Sequence, residues 1–225
     1  SPGFTMKYYP VFLDVQGRRC LVVGGGGVAQ RKVRGLVEAG AQVTVISPEL
    51  TSSLRRLVNK KRITHLPRRY RKGDLRGYFL VYGATDHSST QNLIAAGVKS
   101  SAVLLNIVDR PGLCNFIAPA IVKRGDLILA ISTGGASPAL AKKLRGELEQ
   151  SFGPEYARAL RFLQSLRKKL MASSLPSSER HRIFTQLVRS PLLKYFRDGD
   201  RTKIEALLGR IVGRKQRLSD LGFRL

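Results

Sequence analysis

A chain of 225 residues with 43% hydrophobic content can bury a sizeable core, which excludes global disorder. Two cysteines, Cys20 and Cys114, exclude a disulfide framework, and no apolar run reaches the roughly 18 residues of a membrane span. The 40 Lys and Arg against 15 Asp and Glu give a net charge of +25, a field that attracts polyanions: nucleic acid, or a small substrate with many carboxylates.

No apolar leader suggests secretion, so the expected location is the cytoplasm. Met6 is expected to begin the natural chain, with Ser1–Thr5 as an added leader. Val11–Val15 reads as an edge strand. Cys20–Val23 is the first core strand, with Cys20 as a small buried apolar residue. A helix over Val28–Ala39 ends at Gly40, a helix-stop glycine. Val43–Ile46 is the second strand, and Glu49–Asn59 reads as a helix with Leu50, Leu54, Leu57 and Val58 on one face. Ile63–Leu66 is a third strand. The basic run Arg68–Lys72 holds one aromatic, Tyr70, which could stack a base but reads more simply as a solvated loop. Tyr78–Tyr82, a helix over Ser89–Val98 and the strand Leu104–Val108 follow. Phe116–Val122 and Leu127–Ile131 read as a β-hairpin, and Ser137-Pro138 opens a helix running to Gln150. The remainder reads as basic helices over Pro154–Ala172, Ser178–Val188 and Arg201–Val212.

This alternation predicts an α/β fold, a Rossmann-type parallel doubly wound sheet over residues 6–110. A β-hairpin/helix segment follows over 111–150, then a helical C-terminal domain over 151–225. The organising stretch is Leu21–Lys32, where three apolar residues end a strand, four glycines turn, and a helix begins. Gly24, Gly26 and Ala29 match G-x-G-x-x-G/A, the dinucleotide-binding fingerprint. Gly24 supplies the dihedrals of a tight turn, Gly26 admits a pyrophosphate, and Ala29 packs the helix against the strand. The helix N-terminus adds N–H donors and a positive dipole end.

A classical NAD site has Asp or Glu at the end of the second strand. Here Ser47 stands there, followed by Pro48 and Glu49. Ser47 with Arg31 or Arg55 could take a 2′-phosphate, so this pattern leaves NAD and NADP both open. Ligands in such sheets bind beyond the carboxyl ends of the strands, where Gly24–Gly27, Ser47, Ala84-Thr85-Asp86 and Asp109 all fall. Asp109 is either a base beside the cofactor or a turn aspartate capping local backbone. His65, His87 and His181 show no metal-ligand spacing, so no resident metal is expected. Ser132, Thr133 and Ser137 form no nucleophile elbow.

Several of these pieces resemble one family. The segments YYPVFLDVQGRRCLVVGGGGVAQRKVRGLVEAGAQVTVISPEL, GATD and NIVDRPGLCNFIAPAIVKRGDLILAISTGGASP, with the helix after them, cover Tyr8 to Gln150 in order. They are similar to the precorrin-2 dehydrogenase/sirohydrochlorin ferrochelatase family, the siroheme synthase N-terminal module. The basic helical tail matches only in kind, and the form expected from the resemblance is the stand-alone one, without a methyltransferase domain. The resemblance implies oxidation of precorrin-2 to sirohydrochlorin with NAD, and in some members insertion of ferrous iron. Precorrin-2 carries eight carboxylates, which gives the basic charge a use without nucleic acid. The implied NAD contacts fall on Gly27, Val28, Pro48 and Glu49, beside Gly24, Gly26, Ser47 and Thr85 at the same edge. The family's essential aspartate falls on Asp109. Threonine stands at 133 where some members have a phosphorylated serine. Members pair as homodimers through the segment that is here Pro111–Gln150.

Two other readings fit parts of the chain. A nucleotide-sensing regulatory domain shares the glycine turn and sheet but has no need of Asp109 or a basic cleft. A nucleic-acid-binding protein would use the basic helices.

Overall fold

The computed structural model describes residues 7–98, 102–213 and 217–223; Ser1–Thr5 and Met6 lie outside them. The chain divides into two compact units, Ser1–Ala118 and Pro119–Leu225.

In the first unit, β1 (Arg19–Val23), β2 (Gln42–Ile46), β3 (Thr64–Leu66), β4 (Leu80–Gly83) and β5 (Leu104–Ile107) form one parallel sheet in the order β3-β2-β1-β4-β5. α1 (Gly27–Glu38) and α2 (Ser52–Asn59) cover one face, and α3 (Ser88–Val98) covers the other. Val, Ile and Leu fill the central strands because both faces are buried. β1 and β4 are neighbours although the chain passes β2 and β3 between them, which is the switch point where such sheets bind ligands. Along α1, Ala29, Val33 and Leu36 recur at helical spacing and are buried. The helix stops at Gly40, whose φ of +79° is open to glycine at little cost.

Three local expectations are corrected. Val11–Val15 is not a strand: it pairs with no strand of the sheet, and Val11–Leu13 are exposed. α2 begins at Ser52 rather than Glu49, because the Thr51 hydroxyl accepts from the Leu54 N–H and caps the helix there. Tyr70 is 8% exposed and packs in the core beside Leu75, so it is no platform for a base. Its cationic neighbour Arg68 is held by Asp74 at 2.7 Å. Cys20 is fully buried, as expected, and burial pushes its thiol up to about 11.

In the second unit, β6 (Ala120–Arg124) and β7 (Leu127–Ile131) form an antiparallel hairpin turned at Gly125, with φ +61°. Ser137 caps α4 (Pro138–Ser151), accepting from the Leu140 N–H. α5 (Glu155–Met171), α6 (Ser177–Arg189), α7 (Leu192–Asp198) and α8 (Arg201–Val212) build a separate core. Phe162, Phe196 and Phe223 meet there pairwise, with ring centroids 5.5–5.9 Å apart. α7 was not expected from sequence. Seven residues between Pro191 and Gly199 are too few to display a helical period. At the start of α5, burial pushes the Glu155 carboxyl up, but the hydrogen bond from Arg197, a backbone hydrogen bond and the charges of Arg197 and Arg158 together hold it below the usual range.

Candidate functional site

The strands end together. Val23 pairs with Ile46 and with Gly83, and Gly83 pairs with Ile107, so the carboxyl ends of β2, β1, β4 and β5 stand on one line. Gly24–Gly27, Ser47–Glu49, Ala84–Thr85 and Asp109 follow immediately beyond it. The sheet therefore assembles the edge that the sequence pattern groups together.

The four glycines divide into two pairs. Gly24 has φ +124°, and a Cβ on it would stand 2.1 Å from the Ala84 carbonyl oxygen. On Gly25 a Cβ would stand 1.8 Å from the Glu49 carbonyl oxygen and 2.8 Å from the Ser47 hydroxyl. These two glycines let three loops touch. A Cβ on Gly26 or Gly27 would meet nothing within 4 Å. That open space lies at the start of α1, where no side chain caps the first N–H groups. Gly27 and Val28 are the first two residues of that turn. A cradle bounded by backbone, open above Gly26 and lined with helix N–H donors fits the pyrophosphate of a dinucleotide.

Hydrogen bonds tie the neighbouring loop to the cradle. The Thr51 N–H donates to the Gly25 carbonyl at 3.0 Å, and the Thr51 hydroxyl donates to Gln30 Oε1 at 2.8 Å. Pro48 and Glu49 are exposed and line a cavity of about 390 Å³ with Leu50, Arg55 and His65. Ser47 is 9% exposed. Its carbonyl lies 2.8 Å from His65 Nε2, and Arg55 Nε donates to the Leu50 carbonyl. Arg31, on α1, is exposed.

Thr85 is half-buried. Its carbonyl accepts from Gln91 Nε2 at 2.8 Å, and its hydroxyl accepts from the His87 N–H at 3.4 Å. Gln91, buried and holding the Thr85 carbonyl, was not expected from the sequence. The signal was present: a polar residue at the buried i, i+3, i+7 spacing of α3 with Ile94 and Val98.

Asp109 follows β5 by two residues. The Val108 N–H donates to the Gly83 carbonyl at 3.0 Å, which sets Asp109 beside the end of β4. Its φ is +61°, the left-handed region that a non-glycine residue adopts at a cost. It is exposed, and its carboxylate forms no hydrogen bond or ion pair among the described residues. The adjoining turn is held by other groups, with Cys114 Sγ donating to the Ile107 and Arg110 carbonyls. The carboxylate of Asp109 is not what caps its own turn.

Thr133 lies in the second unit. Its hydroxyl accepts from the Ser137 N–H and donates to the Ser137 carbonyl, both at 3.1 Å. Among the described residues no group of three His, Cys, Asp or Glu side chains is arranged to hold a metal ion, and no helix is long and apolar enough to cross a membrane.

Comparison with known proteins gives the family and the fold. Residues 11–120 match an NAD(P)-binding family model, and residues 124–151 match that of the sirohaem biosynthesis protein central region. A siroheme synthase of Chromobacterium violaceum is 36% identical over 201 residues, covering 89% of this chain and 43% of the relative. One from Nitrosococcus oceani is 41% identical over 165 residues, covering 73% and 35%. The chain thus spans less than half the length of these relatives. Among solved structures, SirC, a precorrin-2 dehydrogenase, superposes with a TM-score of 0.80 at 27% identity, covering 92% of this chain and 100% of that one. With the two family models matched in tandem along the chain, the first of them over the glycine cradle, this chain belongs to the precorrin-2 dehydrogenase/sirohydrochlorin ferrochelatase family, the siroheme synthase module.

Proposed function

We propose that this chain oxidises precorrin-2 to sirohydrochlorin with NAD, as a cytoplasmic enzyme of siroheme biosynthesis. The observation that carries the reading is Asp109: a carboxylate held at positive φ, without a partner among the described residues, beyond the same sheet edge as the glycine cradle. Bound NAD supplies a hydride acceptor. Gly24 and Gly25 fix the loops around it, Gly26 and Gly27 leave room for its pyrophosphate, and the first turn of α1 donates N–H groups to the phosphates. Dehydrogenation removes one hydride and one proton from the macrocycle, and Asp109 accepts the proton. In a second proposed step, insertion of ferrous iron, two pyrrole N–H protons leave in turn, the same carboxylate accepting each and passing it to solvent. The ring nitrogens are then the metal's ligands, and iron is a substrate.

NAD is the preferred nucleotide in this reading. Ser47 is buried rather than offered to a 2′-phosphate, and the exposed Glu49 beyond β2 would repel one. Two copies pair through Pro111–Gln150. Within that segment α4 buries no residue in its own chain, and Ile121, Ile128 and Leu140 are exposed, an apolar surface that a second copy would cover.

The test is incubation of the folded protein with precorrin-2 and NAD, followed by sirohydrochlorin absorbance. Oxidation with NAD supports the reading. A protein that binds NAD but leaves precorrin-2 unchanged overturns it.

A further inference from the structure

α1 carries a cation that the cradle does not use. Lys32 lies one and a half turns into the helix, on the flank of the buried stripe Ala29–Val33–Leu36. It is half-buried, and its Nζ stands 4.8 Å above the ring of Tyr82, which is 8% exposed. Tyr82 meets Phe116 edge to face at 5.6 Å, and the Phe116 carbonyl accepts from Asn106 Nδ2. Tyr82 and Asn106 are paired neighbours on β4 and β5, each one residue before its strand ends. Lys32, Tyr82, Asn106 and Phe116 therefore form one cluster on the α1 face of the sheet, just behind the edge that carries Asp109.

No carboxylate lies within ion-pair distance of Lys32 among the described residues. Burial and the neighbouring Arg31 both lower its pKa. A half-buried ammonium without an anion is destabilising unless it has another use, since burial penalises an unpaired charge. The aromatic ring offsets only part of that penalty. Helix side chains lean toward the helix N-terminus, so Lys32 is directed toward the ligand edge rather than away from it.

We propose that Lys32 is a substrate-binding residue that receives one carboxylate of the tetrapyrrole, held in position by the ring of Tyr82. This rests on the precorrin-2 reading above. The pyrophosphate is met at Gly26–Val28, a full turn earlier on the helix, so the missing anion belongs to the other ligand. The role also separates Lys32 from the general basic field. It is a fixed, partly desolvated cation, whereas a loop residue such as Lys72 is exposed.

The test compares wild-type protein with Lys32→Met, Lys32→Arg and Lys72→Met. Each is titrated with NAD and with uroporphyrin, an octacarboxylate porphyrin, by fluorescence quenching, and initial rates are taken with precorrin-2. Lys32→Met should weaken porphyrin binding and raise KM by roughly 10- to 100-fold, the loss of one charge-assisted hydrogen bond. NAD affinity should stay within twofold, the thermal midpoint should not fall, and Lys32→Arg should recover part of the binding. Lys72→Met should leave all of these at wild-type values. Unchanged porphyrin affinity in Lys32→Met overturns the proposal, as does a matching loss of NAD affinity or an equal effect from Lys72→Met. A lowered thermal midpoint with normal binding makes Lys32 a structural residue and also overturns it. Wild-type protein that binds porphyrin through Lys32 yet does not oxidise precorrin-2 overturns the reaction and not the carboxylate site.

Discussion

Gly24 and Ala84 meet backbone to backbone: a methyl on Gly24 would stand 2.1 Å from the Ala84 carbonyl oxygen. The first glycine of the fingerprint is thus needed by the neighbouring strand β4 as much as by a ligand. The same holds for Gly25, a position the fingerprint leaves unspecified, which is closed off by the Glu49 carbonyl oxygen at 1.8 Å.

The glycines should separate by experiment. Gly24→Ala and Gly25→Ala are expected to lose about 1–3 kcal/mol or more of stability through overpacking. Gly26→Val should stay folded, because its Cβ meets nothing within 4 Å, and should lose NAD binding. Thermal melts beside NAD titrations decide the matter. Normal NAD affinity in folded Gly26→Val protein would remove the cradle assignment.

Asp109 trades backbone comfort for position. Asp109→Gly should raise the thermal midpoint, relieving the positive φ by about 0.5–1 kcal/mol, while Asp109→Ala should not. Both variants should keep NAD affinity and lose two to four orders of magnitude in precorrin-2 turnover, roughly the span for a positioned proton acceptor. Wild-type turnover in either folded variant would sink the role given to this carboxylate.

Arg68 holds Asp74 in a two-pronged bond at 2.7 and 2.9 Å, and the Arg71 N–H donates to the same carboxylate. The Arg68 hydrogen bonds hold the Asp74 carboxyl below its ordinary value. A carboxyl depressed in the folded state stabilises fully above its unfolded pKa of about 3.9. That contribution is lost as pH falls through the lower folded value. The difference in thermal midpoint between wild type and Asp74→Asn should therefore be present at pH 6 and shrink below about pH 4. An equal difference at pH 6 and pH 3 would contradict it.

Leu140, 46% exposed on α4, is offered as a buried residue of the paired state. Sedimentation at micromolar concentration should give a dimer, and Leu140→Arg should shift it to monomer with the helical core of the second unit still folded. A wild-type monomer under those conditions would refute the pairing.

Sequence alone determined what depends on near neighbours. Apolar runs of four or five residues marked the strands, the spacing Ala29–Val33–Leu36 marked α1, and the glycines marked the turn between β1 and α1. The order of these elements implied a parallel sheet, and so the edge where Asp109 and Thr85 would stand. Tertiary structure decided what depends on partners far along the chain. Val11–Val15 has strand-like residues but no neighbouring strand, and pairing is a non-local property. Tyr70 looked solvated among cations until Leu75 and α3 closed over it. Gly25 became obligatory only when Glu49 was folded against it, and Lys32 became a half-buried cation only when β4 brought Tyr82 beneath it. The positive φ of Asp109 belongs with these, because the Val108–Gly83 bond ties its turn to a strand more than twenty residues away in sequence.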